Sequence, residues 1–421
     1  MGTELARRLG LRDSVVIGLG SMIGAGVFAA LAPAAGAAGP WLPVALAVAA
    51  VVAYCNAVSS ARLAARYPVS GGTYVYGRER LGAFWGYLAG WGFVVGKSAS
   101  CAAMALTVGS YAWPAHAHEV AVVAVVAVTA INYVGVQKSA LATRVIVVVV
   151  LAVLGAVVVA GFAGSHAGAT GLGAPVGVYG VLQGAGLLFF AFAGYARIAT
   201  LGEEVRAPER TIPRAILLAL GIALVVYALV AAAALLTLGA GGLAGAPDPL
   251  VRVVEAAGAA WLAPVVRVGA VLAAAGSLLA LVLGVSRTTL AMARDRHLPG
   301  ALAAIHPRFQ VPHRAELAVG AVVAVVAATV DLRGAIGFSS FAVLVYYLVA
   351  NVSAGTLTRA EGAPARWIPI LGAVGCAVVA CSLPLGSVLG GLVVLGLGAA
   401  WYGCGGGASG DGTRPGGTSD P

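Results

Sequence analysis

The sequence predicts an all-α membrane protein with twelve transmembrane helices, arranged as two inverted repeats of five helices followed by two more. Three observations lead to this prediction. Hydrophobic residues make up 61% of the 421 residues and charged residues only 10%, whereas soluble domains carry about 25% charge. Apolar segments of about 20 residues, the length that crosses a bilayer, recur along the chain. Glycines interrupt two of these segments, at corresponding positions in the two halves.

Twelve apolar segments are long enough to be membrane spans. An arginine-bearing N-terminus leads into the first without a small-residue cleavage site, so we expect a retained helix and no cleaved signal peptide. The Gly/Ser/Thr/Pro-rich residues 405–421 are expected to be a disordered tail, which leaves residues 1–404 as one membrane domain. The predicted spans are residues 14–34, 41–64, 82–112, 118–135, 141–163, 180–202, 212–240, 261–291, 315–331, 336–358, 367–383 and 386–403.

Basic residues are concentrated in alternate loops. If the N-terminus is cytoplasmic, 20 of the 25 basic residues lie in the cytoplasm, and only Arg252, Arg267 and Arg333 lie outside. Lys97 and Arg197 fall within spans. Because cytoplasmic loops carry the excess of Lys and Arg, both termini are expected in the cytoplasm. The net charge of +10 then reflects the membrane topology, and we expect no nucleic-acid partner. The expected location is a bacterial inner (plasma) membrane, as a multi-pass protein.

The first span contains Gly18, Gly20, Gly24 and Gly26. Each glycine costs a helix about 1 kcal/mol relative to alanine, and non-helical backbone is tolerated at membrane depth only where protein or a water-filled cavity surrounds it. Freed N–H groups at the start of a second half-helix would attract a carboxylate. Alternatively, Gly20-x-x-x-Gly24 is a helix-packing motif. A nucleotide-binding loop is disfavoured, because position 23 is not glycine and no strand precedes the segment.

The sixth span is interrupted around Gly194. Carbonyl groups freed at Ala193 and Gly194 could accept hydrogen bonds from an ammonium group, and Phe190, Phe192 and Tyr195 could close over a solute. The alternative is that these aromatic side chains face lipid or pack in the core. Interrupted spans in matching positions of two halves are the best sequence pointer to the binding site of a secondary transporter.

Each interrupted span begins a set of five. Because five is an odd number, the second set crosses the membrane in the opposite sense, which predicts an inverted repeat of residues 14–163 and 180–358 with the breaks facing each other near the midplane. We find no residue-level identity between the halves, so the repeat rests on topology and on the breaks. Residues 367–403 are then two additional helices.

Four stretches resemble the amino acid–polyamine–organocation (APC) permeases, and together they cover about residues 10–360. They are the glycine-rich residues 18–28, RYPVSGGTY at 66–74, residues 189–214 ending in GEEVRAPERTIPR, and SRTTLAMARD at 286–295 with the following Leu298-Pro299. The resemblance implies the five-plus-five, LeuT-like fold. It also implies transport of amino acids or amines, by proton symport or exchange, from a site between helices 1 and 6. The expected site residues are Ser21, Ile23, Gly24, Ala25, Gly26, Phe190, Ala193, Gly194 and Tyr195.

The chain departs from the family pattern just after the second break. Many members carry an acidic residue where this sequence has Ala196, which is followed by Arg197. All acidic residues fall in predicted loops or at the ends of spans, so no mid-membrane carboxylate is expected to hold a cationic side chain. Neutral amino acids are therefore favoured over arginine, lysine or polyamines. An amine, polyamine, nucleobase or organic acid on the same fold, or export, is the alternative.

Lys97 lies near the middle of the third span, and an intramembrane charge is a functional candidate by default. Some APC members place a lysine in helix 5, where its ammonium stands in for sodium, but the matching position here is Val150. Lys97 could serve instead from the neighbouring helix as the proton-coupling residue. Alternatively, it is a structural lysine bonded to freed carbonyls. Sodium coupling is less favoured, because hydroxyls such as that of Ser277 usually bond their own helix.

Residues 203–214 mix three acidic and three basic residues in a predicted cytoplasmic loop. They could form a salt-bridged inner gate, in which Glu203 and Glu204 pair with Arg66 or Arg294, or they could form a solvated loop. An enzyme is disfavoured, because the chain has neither HExxH nor GxSxG and its six histidines fall in loops or at span ends. We expect no catalytic site, cofactor or metal. The expected partners are an amino acid substrate and membrane lipid, for a monomer or homodimer.

Overall fold

The computed structural model describes residues 9–68, 71–135, 140–164, 176–199 and 205–406. Within these ranges the chain is helical, and its strand pairing is limited to one isolated bridge between Leu9 and Val205. The α-helices are α1 (Leu11–Met22), α2 (Ala25–Ala29), α3 (Leu31–Ala38), α4 (Leu42–Arg66), α5 (Thr73–Leu81), α6 (Ala83–Ala112), α7 (Ala117–Tyr133), α8 (Ala140–Ala163), α9 (Val178–Phe192), α10 (Ala196–Ala199), α11 (Pro208–Ala244), α12 (Pro249–Ala256), α13 (Ala263–Arg294), α14 (His313–Thr329), α15 (Leu332–Gly355), α16 (Trp367–Cys381) and α17 (Leu385–Trp401).

Ten helical segments of the described chain are long and apolar enough to cross a membrane. This confirms the prediction of an all-α membrane protein. The predicted spans 315–331 and 367–383 coincide with the shorter helices α14, of 17 residues, and α16, of 15 residues. The count of twelve crossings, the inverted repeat and the orientation remain predictions. The predicted tail lies outside the described residues beyond Gly406.

Two short helices lie in segments that the sequence analysis treated as loops. Gly72 precedes α5 with a positive φ of 57°, a conformation that glycine adopts without steric cost. Asp248 precedes α12, which has Pro249 in its first turn, where proline is favoured because its missing N–H would have no partner there.

The first span is interrupted at Ile23 and Gly24, where the backbone leaves helical geometry (Gly24 φ −73°, ψ −125°). Helix α2 then continues through Ala30, whose angles are helical, into α3. In the sixth span, α9 ends at Phe192, a 3₁₀ turn covers Ala193–Tyr195, and α10 follows. Both predicted interruptions are thus present in the backbone.

Helix α6 lies at the centre of the bundle. It packs against α13 and α15, and 89% of its most apolar stretch is buried inside the protein, compared with 22% for α17. Large apolar side chains of α8 and α17, such as Val159 and Leu385, are instead exposed on the outside, as expected for surfaces that face lipid. Lys97 is carried by α6 and is therefore in the interior of the bundle.

Candidate functional site

The two interrupted helices meet backbone to backbone at their breaks. A Cβ atom added to Gly194 would overlap the carbonyl oxygen of Ser21 and lie 2.7 Å from the amide nitrogen of Met22. A Cβ atom added to Gly26 would lie 2.6 Å from the Cα of Ala191. Only glycine allows backbones to approach so closely, so these two glycines make the contact between the interrupted helices possible.

Helices that end inside a protein leave carbonyl groups without partners from their own helix. The Tyr227 hydroxyl of α11 lies 2.6 Å from the carbonyl oxygen of Met22 and 3.0 Å from that of Ala191, one on each interrupted helix. The Nζ of Lys97 donates to the carbonyl oxygen of Ala193 at 3.2 Å. Two side chains from neighbouring helices therefore satisfy carbonyls at both breaks.

Ser277 supplies a third such contact, from α13. The Ser277 hydroxyl donates to the carbonyl oxygen of Gly20 at 3.2 Å. A Cβ atom added to Gly24 would lie 2.8 Å from the Cβ of Ser277. Ser286 and Thr289 on the same helix instead donate to carbonyls one turn earlier. The deep hydroxyl of α13 is thus the one that joins α13 to the first span, whereas the hydroxyls nearer its C-terminal end bond their own helix.

The side chain of Lys97, which belongs to α6, extends to the C-terminal end of α9 and is only 6% exposed. The carbonyl end of a helix carries a partial negative charge, which favours a cation there. No described carboxylate lies within ion-pairing distance of its ammonium group. The contact of Lys97 with the second break is therefore to backbone carbonyl, as the structural interpretation of this lysine predicts, and it leaves the coupling role open.

Replacing Tyr227 with phenylalanine is expected to destabilise the protein. A buried carbonyl left without a donor costs about 1–3 kcal/mol, and the single hydroxyl hydrogen of Tyr227 is shared between two carbonyl oxygens. The melting temperature of the purified protein in detergent should fall relative to wild type. Tyr54→Phe is the matched control, because Tyr54 is 43% exposed on α4. Equal melting temperatures for the two variants would contradict this role for Tyr227.

The remaining predicted site residues are mostly buried near the two breaks. Ile23, Ala25 and Phe190 are between 0% and 7% exposed. The Ser21 hydroxyl donates to the carbonyl oxygen of Ile17 in its own helix. The ring of Tyr195 packs against Tyr347 of α15, with centroids 5.2 Å apart. Of the aromatic residues considered, Phe192 packs edge-on against Tyr227 at 5.1 Å.

A cluster at the C-terminal end of α6 contacts α2 beyond the first break. The Tyr111 hydroxyl donates to the carbonyl oxygen of Phe28 at 3.2 Å and accepts from the amide of Leu250 at 3.3 Å. Beside it, Asp248 is buried and pairs with Arg267 at 2.7 Å. The sequence analysis missed this cluster. It considered Arg267 only as a basic residue in a loop outside the cytoplasm, and no regular sequence spacing relates Tyr111, Asp248 and Arg267.

Several arginines lie on the opposite side, which we call the arginine-rich face (Arg66, Arg80, Arg294 and Arg308). Arg80 donates to both carboxylate oxygens of Glu361, at 3.0 and 2.8 Å, and Arg66 lies 3.4 Å from the same carboxylate. The hydrogen bonds from Arg80, and those from Thr358, lower the pKa of Glu361 to about 2. Of the other predicted gate residues, Arg294 is exposed, and Glu203 and Glu204 lie outside the described residues, so the gate remains a prediction.

A family model described as amino acid permease matches residues 9–395, nearly the whole chain. The chain belongs to the amino acid permease family. This confirms the resemblance seen in the sequence motifs. Relatives include an uncharacterized transporter of Mycobacterium tuberculosis, 71% identical over 402 residues (95% of this chain, 91% of the relative). The branched-chain amino acid permease of Bacillus subtilis is 27% identical over 355 residues (78% and 76%). Human cationic amino acid transporter 4 is 30% identical over 393 residues (86% and 62%).

Proposed function

We propose that the protein is a secondary transporter that moves amino acids across a bacterial plasma membrane by alternating access, with the substrate bound between the two breaks. The contact of Gly194 with the Ser21–Met22 peptide is the main support. Together with the contact of Gly26 with Ala191, it puts the N-terminal end of α2, which offers N–H groups, beside the C-terminal end of α9, which offers carbonyls. An amino acid carries a carboxylate and an ammonium one carbon apart, so it could bond to both helix ends.

Neutral amino acids are the proposed substrate class. Ala196 stands where many family members carry an acidic residue, so the second break lacks that partner for a cationic side chain. The names of the relatives include both branched-chain and cationic amino acids, and they do not decide between the two classes. Competition by leucine but not by arginine in an uptake assay would support the proposal.

Lys97 is proposed as the coupling residue, because it is an ionisable group in direct contact with a break. Its ammonium occupies the carbonyl of Ala193, which a substrate ammonium could also use. Loss of the proton would weaken this hydrogen bond, and movement of the side chain would release that carbonyl. Proton-driven transport and exchange both remain compatible with this arrangement, and the gradient applied in an experiment distinguishes them.

Uptake into proteoliposomes tests the proposal. A mixture of radiolabelled amino acids is offered to the purified protein under an inside-alkaline proton gradient, under a sodium gradient, or against internal amino acid alone. We expect uptake under the first or third condition and none in protein-free liposomes. Uptake driven by sodium would contradict proton coupling. No uptake of any amino acid by folded protein would overturn the substrate class and favour another solute on the same fold.

A further inference from the structure

A group of buried polar atoms without partners lies between α7 and α14, away from the two breaks. Glu316 of α14 is completely buried, and neither oxygen of its carboxyl group has a hydrogen-bond partner among the described residues. The hydroxyl of Thr129 and the Nδ1 of His313 are also buried there without partners. Four buried polar atoms without protein partners on one interface require a proton, an ion or water, since burying them unpaired is costly.

The packing of α7 against α14 shows that these residues share one interface. Thr129 of α7 packs on Gly320 of α14: a Cβ atom added to Gly320 would lie 2.8 Å from the Cγ2 of Thr129. The ring of Tyr133 meets the ring of His313 edge-on, with centroids 6.2 Å apart. His313, Glu316 and Gly320 recur at intervals of three and four residues, so they lie on one face of α14. Glu316 therefore faces α7, at a level between Thr129 and Tyr133.

A second histidine, His306, lies beside His313 at the start of α14. The ring of His306 is 5.3 Å from that of His313 and 5.5 Å from that of Tyr133. Its Nδ1 accepts from the backbone amide of Arg308 at 3.2 Å, which leaves Nε2 as the nitrogen that carries the hydrogen in the neutral ring. The ring of His306 therefore has no free nitrogen lone pair, whereas Nδ1 of His313 has no hydrogen-bond partner among the described residues and can accept a proton from Glu316.

The charge of an ionised Glu316 is not balanced by a neighbour in this conformation. An unpaired carboxylate is too costly to bury, so it must hold a proton, bind a cation or form an ion pair. No described basic group lies within ion-pairing distance of the Glu316 carboxyl group. Arg287, exposed on α13, is close enough to act on it electrostatically without forming an ion pair. The part of α6 that faces α14 carries Val94, Val95, Ser98 and Ala99. The charged and titratable groups of the adjoining elements are Tyr133 on α7, Arg287 and Arg294 on α13, and His306, Arg308, His313 and Arg314 around the start of α14.

We propose that Glu316 is a proton-binding site that exchanges its proton with the arginine-rich face through His313. On release, the proton moves from the carboxyl group to Nδ1 of His313, which has no hydrogen-bond partner among the described residues, and the resulting imidazolium loses its Nε2 proton to water. The carboxylate left behind then pairs with Arg287 from α13. This site is distinct from Lys97 and does not depend on which solute is transported.

Carbodiimide labelling of the wild-type protein tests the proposal without any variant, because dicyclohexylcarbodiimide modifies protonated carboxyl groups in apolar surroundings. We expect labelling at Glu316, located by mass spectrometry, to be at least about tenfold stronger at about pH 5 than at about pH 9. Labelling that is absent at both values would overturn the proposal. Labelling suppressed by sodium or potassium at constant pH would also overturn it, since the ligand would then be a cation.

Infrared difference spectra between the same two pH values provide a second readout. The C=O band of a protonated carboxyl group should disappear on alkalinisation in the wild type and be missing from Glu316→Gln. Glu119→Gln is the matched control, because Glu119 is 71% exposed at the other end of α7, and it should keep the band. His313→Phe should keep the band but slow its appearance after a pH jump. A band unchanged in Glu316→Gln would contradict the assignment.

Discussion

Replacing Gly194 with alanine should reduce amino acid uptake by roughly 5- to 150-fold, the range that corresponds to about 1–3 kcal/mol. The added methyl group would overlap the carbonyl oxygen of Ser21, where the two interrupted helices touch. Neither atom is the free end of a flexible side chain, so the backbones must separate. Overpacking of this kind costs about 1–3 kcal/mol, and here the cost falls on the proposed binding site. Initial rates in proteoliposomes at equal protein content measure it.

Two further glycine variants make the experiment specific. Gly26→Ala would place a methyl group 2.6 Å from the Cα of Ala191 and should cause a comparable loss. In Gly155→Ala, on α8, nothing lies within 4 Å of the new methyl group, and uptake should stay at the wild-type level. Size-exclusion chromatography establishes that each variant is folded. Wild-type uptake by folded Gly194→Ala would show that the close contact of the breaks is not needed for transport.

The helices could be predicted well from the sequence, because length and apolar composition are local properties. The span predicted at residues 82–112 is α6 (Ala83–Ala112), and that predicted at 141–163 is α8 (Ala140–Ala163). The interruptions at Gly24 and Gly194 were predictable for the same reason, since the cost of glycine in a helix depends on the residue itself. Neither prediction required knowledge of which helices pack together.

The partners of the breaks could not be predicted. Tyr227 contacts Met22, 205 residues earlier in the chain, and no spacing connects them. Ser277 and Ser286 are both serines in one apolar helix, yet only Ser277 reaches another span. A hydroxyl in an apolar helix is expected to bond its own backbone, and the packing of the helices determines the exception.

Glu316 shows the same limit for a charged residue. The sequence analysis placed it at the end of a predicted span, like the other acidic residues outside the loops, and the structure buries it completely. The aromatic side chains of Tyr133, His306 and His313 cover this end of α14. Their proximity depends on the fold of the segment before α14, which hydropathy does not describe. Burial of a residue at a span end is therefore a tertiary property.

Removing the amine of Lys97 should have the other large effect. If Lys97 carries the coupled proton, Lys97→Ala should lower uptake driven by an inside-alkaline gradient at least about tenfold, which corresponds to about 1.4 kcal/mol. Exchange of internal for external amino acid should persist, because it needs the binding site but no net proton movement. Initial rates under the two conditions, in the same proteoliposomes, give the ratio that defines coupling.

Lys97→Arg separates the proton from the hydrogen bond. Arginine can still donate to the carbonyl oxygen of Ala193, which Lys97 contacts at 3.2 Å, but its guanidinium does not lose a proton in proteins. A coupling role predicts that Lys97→Arg loses the response to the proton gradient as Lys97→Ala does. A structural role predicts that Lys97→Arg keeps that response and that Lys97→Ala lowers gradient-driven uptake and exchange equally. The second pattern would make Lys97 a support for the break around Ala193 and assign proton coupling to another group.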